Sequence, residues 1–231
     1  MQETRKRFHD ELAALESEVL GLGERATMAV GNAVQALVTR DAELADQVVR
    51  EDDALDATYL DIEQRILDLL ATQTPVATDL RLVSAILHAN MHLERVGDQA
   101  VNIAKITKAT LDLPSSDTVV TQLREMGEIC GAMLRTSLEA FARRDAELAE
   151  RLPEMDDPID RLNRNMYREV VALAADPAAL EWGIRMNVVS RQLERVGDNA
   201  VDIGELVAFL VTGQFREFTD ASHDVQSEPA P

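Results

Sequence analysis

The chain of 231 residues holds one cysteine, Cys130, which excludes an intrachain disulfide and points to a reducing compartment. Aromatic residues make up 3% of it, and glycines and prolines number only 10 and 7. That poverty argues against a sheet-rich protein and for long helices built from alanine, leucine, glutamate and arginine. Positive charge is scarce as well: 23 Lys and Arg stand against 42 Asp and Glu, a formal net charge of -19. Such a field repels phosphate backbones, so no nucleic-acid partner is expected, and it favours cations instead. Long apolar runs are also missing. The longest uncharged stretch, "ATMAVGNAVQALVT" at 26–39, falls short of the roughly 20 residues that span a bilayer. The opening "MQETRKRFHDEL" is charged throughout and carries no apolar signal region. A soluble, cytoplasmic protein with no direct membrane insertion is expected.

What the chain does contain is a repeat. "LERVGDQAVNIA" at 93–104 returns as "LERVGDNAVDIG" at 193–204, and "RDAELA" at 40–45 returns at 144–149. "EDDALD" at 51–56 matches "MDDPID" at 155–160, so the early offset is 144 − 40 = 104 and the late one 194 − 94 = 100. Four residues are therefore missing from the second copy, around "LAADPAAL", where proline marks a turn.

Each copy reads as three helices. Leu12, Leu15, Val19, Leu22, Ala26, Val30, Ala33 and Leu37 recur at spacings of three and four, the stripe of a packed helix. Asp41 is placed to cap the second helix, and "TQTP" turns the chain into a third that carries Leu82, Ile86, Leu93, Val96, Ala100 and Ile103. Copy two repeats this at about 117–142, 145–174 and 178–212. Short turns between long helices require antiparallel neighbours. The expected fold is all-α, two tandem, pseudo-symmetric three-helix bundles of six long antiparallel helices. The first spans residues 1–112, the second 113–212, and a loose tail covers 213–231.

Carboxylates mark matched places in both copies. Asp52 with Asp56 and Glu94 with Asp98 lie four apart on one helix face, as do Asp156 with Asp160 and Glu194 with Asp198. With 42 acidic residues in 231, chance supplies about eight such pairs, so the recurrence carries the signal rather than the spacing. Counting from the turns places the two pairs of each copy within a few Å of one level, because both arms of the hairpin rise about 1.5 Å per residue. Four converging carboxylates repel unless they splay into water or hold cations. Oxygen-only donors suit magnesium, calcium, manganese or iron better than zinc. Gly97 and Gly197 cost each helix about 1 kcal/mol relative to alanine, and a bare backbone there permits close approach. The alternative is a solvated face in which Arg95 and Arg195 pair with Asp98 and Asp198. His88 and His92 have no counterparts in copy two (Val188 and Gln192) and read as packing or surface residues. No glycine-rich phosphate loop and no nucleophile–base set is present, so no catalytic residue is expected and the chain is read as no enzyme.

The segment "DLRLVSAILHANMHLERVGDQAVNIAK" and its second copy "RMNVVSRQLERVGDNAVDIGE" closely resemble the PhoU family, and the resemblance covers residues 3 to about 212. It implies paired three-helix bundles. It also implies multinuclear metal sites, with iron or zinc, at E/D-x-x-x-D motifs matching Asp52 and Asp56, Glu94 and Asp98, Asp156 and Asp160, Glu194 and Asp198. Asn102 and Asp202, one turn further on, are weaker ligand candidates. Manganese and magnesium stay open beside iron and zinc. By the same resemblance the chain is a negative regulator of phosphate uptake and starvation signalling. It would join the ATPase subunit of a phosphate-specific ABC transporter to a phosphate-sensing histidine kinase, as a homodimer. A metal-binding helical scaffold with no phosphate role is the alternative.

Overall fold

A computed structural model describes residues 2–218, and all its regular elements are helices. They are α1 Gln2–Thr39, α2 Ala42–Thr72, α3 Ala77–Ala109, α4 Asp117–Arg143, α5 Ala146–Ala149, α6 Leu152–Ala172 and α7 Pro177–Thr212. The first three form one bundle. In the second, α5 and α6 together stand where α2 stands in the first. The buried side chains of both bundles merge into one continuous core, with α3 and α7 packed on each other as its spine and α1 packed on α4.

Local chemistry sets the corners. The Asp41 carboxylate accepts from the Glu43 and Leu44 amides at 2.9 and 3.0 Å, and Asp145 does the same for Leu148 at 3.0 Å. Just before each cap sits an arginine in the left-handed region, Arg40 at φ 56 and Arg144 at φ 54. A side chain there costs about 1 kcal/mol or more, and both arginines are tied down. Arg40 donates to the Leu111 carbonyl and, at 2.9 Å, to that of Leu113, fastening the linker between bundles. Arg144 reaches Glu16 of the first bundle at 2.6 Å.

One part of the second bundle departs from its copy. A single helix is expected over about 145–174, yet the helix breaks at Glu150 and Arg151. Pro153 opens α6: it has no amide to donate, and its ring would collide with the carbonyl four residues earlier. The first copy carries Val49 at that place, and α2 runs on unbroken. The tail expected over 213–231 lies outside the described residues from 219 onward. Residues 213–218 turn back along α7, where the amide of Phe218 donates to Glu205 at 2.7 Å.

The bundles are related by rotation across the helices. Gly23 of α1 faces Leu138 of α4, and Gly127 faces Val34; a Cβ on either glycine would lie 2.8 Å from a methyl group opposite. Since 127 − 23 = 138 − 34 = 104, these are the same contact made twice in opposite directions. On the spine, His92 of α3 meets Asn199 and Asp202 of α7 rather than residue 192, so α3 and α7 also run antiparallel.

Candidate functional site

Because α2 and α3 are adjacent and antiparallel, Asp52 comes level with Gly97. A Cβ on Gly97 would sit 3.3 Å from Asp52 Oδ1 and 3.0 Å from a Leu55 methyl. In the second bundle a Cβ on Gly197 would collide with the Asp156 carboxylate, whose Cγ lies 3.5 Å away, and would press on Ile159 at 3.2 Å. Each glycine is thus the gap into which the facing helix lowers a carboxylate. Alanine fits poorly there.

The first bundle gathers Asp52, Asp56, Glu94 and Asp98 within electrostatic reach of one another. Burial, then the charges of Asp56 and Asp98, push the Asp52 carboxyl from its ordinary 3.8 up to about 6, while Lys105 pulls the other way. Glu94 rises too, through burial first and then Asp98 and Asp56. Asp56 and Asp98 themselves are exposed.

The second bundle repeats the arrangement with one difference. Asp198 is pushed to about 6, by burial first and then by Glu194, Asp202 and Asp160. Glu194 rises through burial, with Arg191 opposing. Here arginines answer part of the charge: Arg191 pairs with Glu194 at 2.6 Å, and Arg164 with Asp160 at 3.2 Å. The matching positions of the first bundle hold Met91 and Leu60, so its carboxylates lack these tethers. The pairs Arg95–Asp98 and Arg195–Asp198, weighed from the sequence, are not among the ion pairs of the described residues.

The donor set suits a hard cation: carboxylate oxygens, mutually repelling, at one level, with glycines making room for them. Among the described residues no three acidic, histidine or cysteine side chains are gathered closely enough to ligate one ion as they stand.

Where α3 crosses α7, a groove of about 420 Å³ connects the two halves, lined by Arg95, Asp98 and Asn102 from one side and Arg195, Asp198 and Asp202 from the other. Gln99 lies buried in its wall, with no hydrogen-bond partner for Oε1 among the described residues. His92, read from the sequence as packing or surface, spans this junction instead. Its Nδ1 lies 2.8 Å from Asn199 Oδ1 and 3.3 Å from Asp202. Burial raises the Asp202 carboxyl, and His92 and Arg95 draw it back down. His88 stays exposed and bonds the Ser84 carbonyl of its own helix at 2.7 Å. The repeat pattern could not show His92's role, because it has no copy at Gln192 and its partners lie across the pseudo-two-fold. No helix among the described residues is long and apolar enough to cross a membrane.

Fold and site together define a duplicated all-helical protein that carries an acidic, glycine-backed level in each half. The family model described as the PhoU domain matches twice, at residues 19–107 and 123–207. The chain belongs to the PhoU family. It is 34% identical over 219 residues to the phosphate-specific transport system accessory protein PhoU homolog of Pseudomonas putida, covering 94% of this chain and 84% of that protein. A homolog of the same description from Clostridium acetobutylicum is 31% identical and is covered over its whole length. The crystal structure of PhoU from Pseudomonas aeruginosa superposes with a TM-score of 0.85 at 34% identity, over 90% of this chain and 100% of that one. The phosphate transport system regulatory protein PhoU from Streptococcus pneumoniae gives 0.82 at 30% identity, over 90% and 99%.

Proposed function

We propose that this protein is an accessory of a phosphate-specific transport system, a cytoplasmic negative regulator of phosphate uptake and of the starvation response. It acts as an adaptor that joins the transporter's ATPase subunit to a phosphate-sensing histidine kinase, without catalysing a reaction of its own. The observation that carries this reading is the family match over both halves of the chain, with relatives named as accessory proteins of phosphate-specific transport covered nearly end to end. Long, rigid helices offer faces on which partner helices can dock. Asp52, Asp56, Glu94 and Asp98 would hold a cation in the first half, and Asp156, Asp160, Glu194 and Asp198 in the second. Bound there, the ion would neutralise like charge and brace the facing helices. Deleting the gene should leave phosphate-responsive genes switched on in phosphate-rich medium, and the purified chain should retain the ATPase and the kinase from a lysate. Normal repression in the deletion strain would remove the proposal.

A further inference from the structure

The first half carries a groove at a place that apolar side chains take up in the second. It runs between α1 and α2, encloses about 390 Å³, and is floored by the buried Val48, Leu55 and Val101. Met28 stands at its edge with 59% of its surface exposed. In the second copy Ile129, Met133, Leu152 and Met155 take the places of Arg25, Ala29, Val48 and Glu51, each 104 residues on. Met133 and Leu152 are completely buried there, and Ile129 and Met155 pack against the core. The fold thus accepts four apolar side chains at this place. The first half puts smaller or charged residues there and keeps the space open.

The two ends of the groove differ in charge. At one end Arg25 donates to Thr58 at 3.0 Å across the antiparallel pair α1 and α2. Seven residues on along α1 and seven back along α2, Asn32 comes level with Glu51, about 10 Å away. There Gln47 donates to Glu51 at 2.7 Å, and Asp52 reaches toward α3 beside Gly97. Lys105 acts on Asp52 from α3, so two carboxylates stand against one ammonium and this end stays negative. An apolar trough of this volume with a few polar groups at its ends has the form of a small-molecule site. The negative end selects a cationic head, and the guanidinium at the opposite end fixes which way round it lies. We propose that the groove binds a small organic ammonium ion, its apolar body over Val48, Leu55 and Val101 and its charged head at Glu51 and Asp52. The site goes beyond the transport reading and does not rest on it.

The test follows the methyl group of Met28 by NMR in the full-length chain, its signal assigned with Met28→Leu. The probe is n-hexylammonium, and n-hexanoate is the control with the same body and the opposite charge. The amine should shift the Met28 signal saturably by roughly 20 mM, and hexanoate should not. Glu51→Gln together with Asp52→Asn, both isosteric, should weaken the amine at least ~10-fold. Ala29→Met with Val48→Leu installs the second half's own residues and should abolish the response while both carboxylates remain. The isosteric pair keeps the test sound even if the filled variant folds poorly. A Met28 signal indifferent to the amine, an equal response to hexanoate, or undiminished binding in the isosteric pair would overturn the proposal.

Discussion

Gly97 and Gly197 stand in the middle of long helices, where alanine would be favoured by about 1 kcal/mol. Each instead faces a carboxylate from the neighbouring helix, and a methyl group would have to displace Asp52 and Leu55 in one half or Asp156 and Ile159 in the other. Overpacking of this kind costs about 1–3 kcal/mol. Gly97→Ala should therefore lower stability by roughly 1 kcal/mol, and Gly197→Ala by more, because the Asp156 carboxylate crowds the added atom directly. Urea titration measures this, and a gain in midpoint for both variants would show that the glycines do not serve the carboxylates. At this scale the sequence was informative wherever the duplication repeated a residue. The match of Asp52 with the level of Gly97 follows from counting residues on either side of a turn. His92 could not be found that way, since its partners Asn199 and Asp202 belong to the other half and have no fixed distance from it along the chain.

Helix boundaries follow from capping where a single residue decides them. Asp41 satisfies two amides of the first turn of α2, and Asp41→Ala should cost about 1 kcal/mol. The loss should appear as a lower urea midpoint with the slope unchanged, because the same surface is exposed on unfolding. An unchanged midpoint would mean that the Arg40 clamp on the linker sets the corner alone. The break between α5 and α6 is written in the sequence too, in the Pro153 of "RLPEMDDP", but the unbroken first copy masks it. Duplication guides a reading well until one copy changes. The course of 213–218 was harder to see: the segment is short and polar in part, and it is held along α7 by Glu205 and by Glu150, the latter far away in sequence.

For the molecule as a whole, the burial of two carboxylates, and after it the repulsion of their acidic neighbours, sets the response to pH. Asp52 and Asp198 both titrate near 6 in the fold against an ordinary 3.8, so between those values the folded chain keeps protons that the unfolded chain has released. Stability from these groups is thus greatest at the acid end of that window and falls as the pH climbs through it. Both groups are partly exposed and screened, which leaves a combined effect of about 1 kcal/mol, or roughly 2–4 °C in melting temperature for a chain of this size. The metal-free protein should melt that much lower at pH 7.5 than at pH 4.5. Millimolar magnesium or manganese should recover the difference at pH 7.5, and should recover less of it in Asp52→Asn. A melting temperature indifferent to both proton and cation would show that neither acidic level binds an ion.

Rotation across the spine, rather than displacement along it, gives the molecule two poles that are near-replicas facing opposite ways. A partner that recognised only the shared pattern would meet it at both poles and load the protein twice. The proline-led interruption, the glycine beside it and the aromatic clasp over them lie at one pole alone. They give the molecule a head and a tail, so that two ends built from one pattern can be told apart.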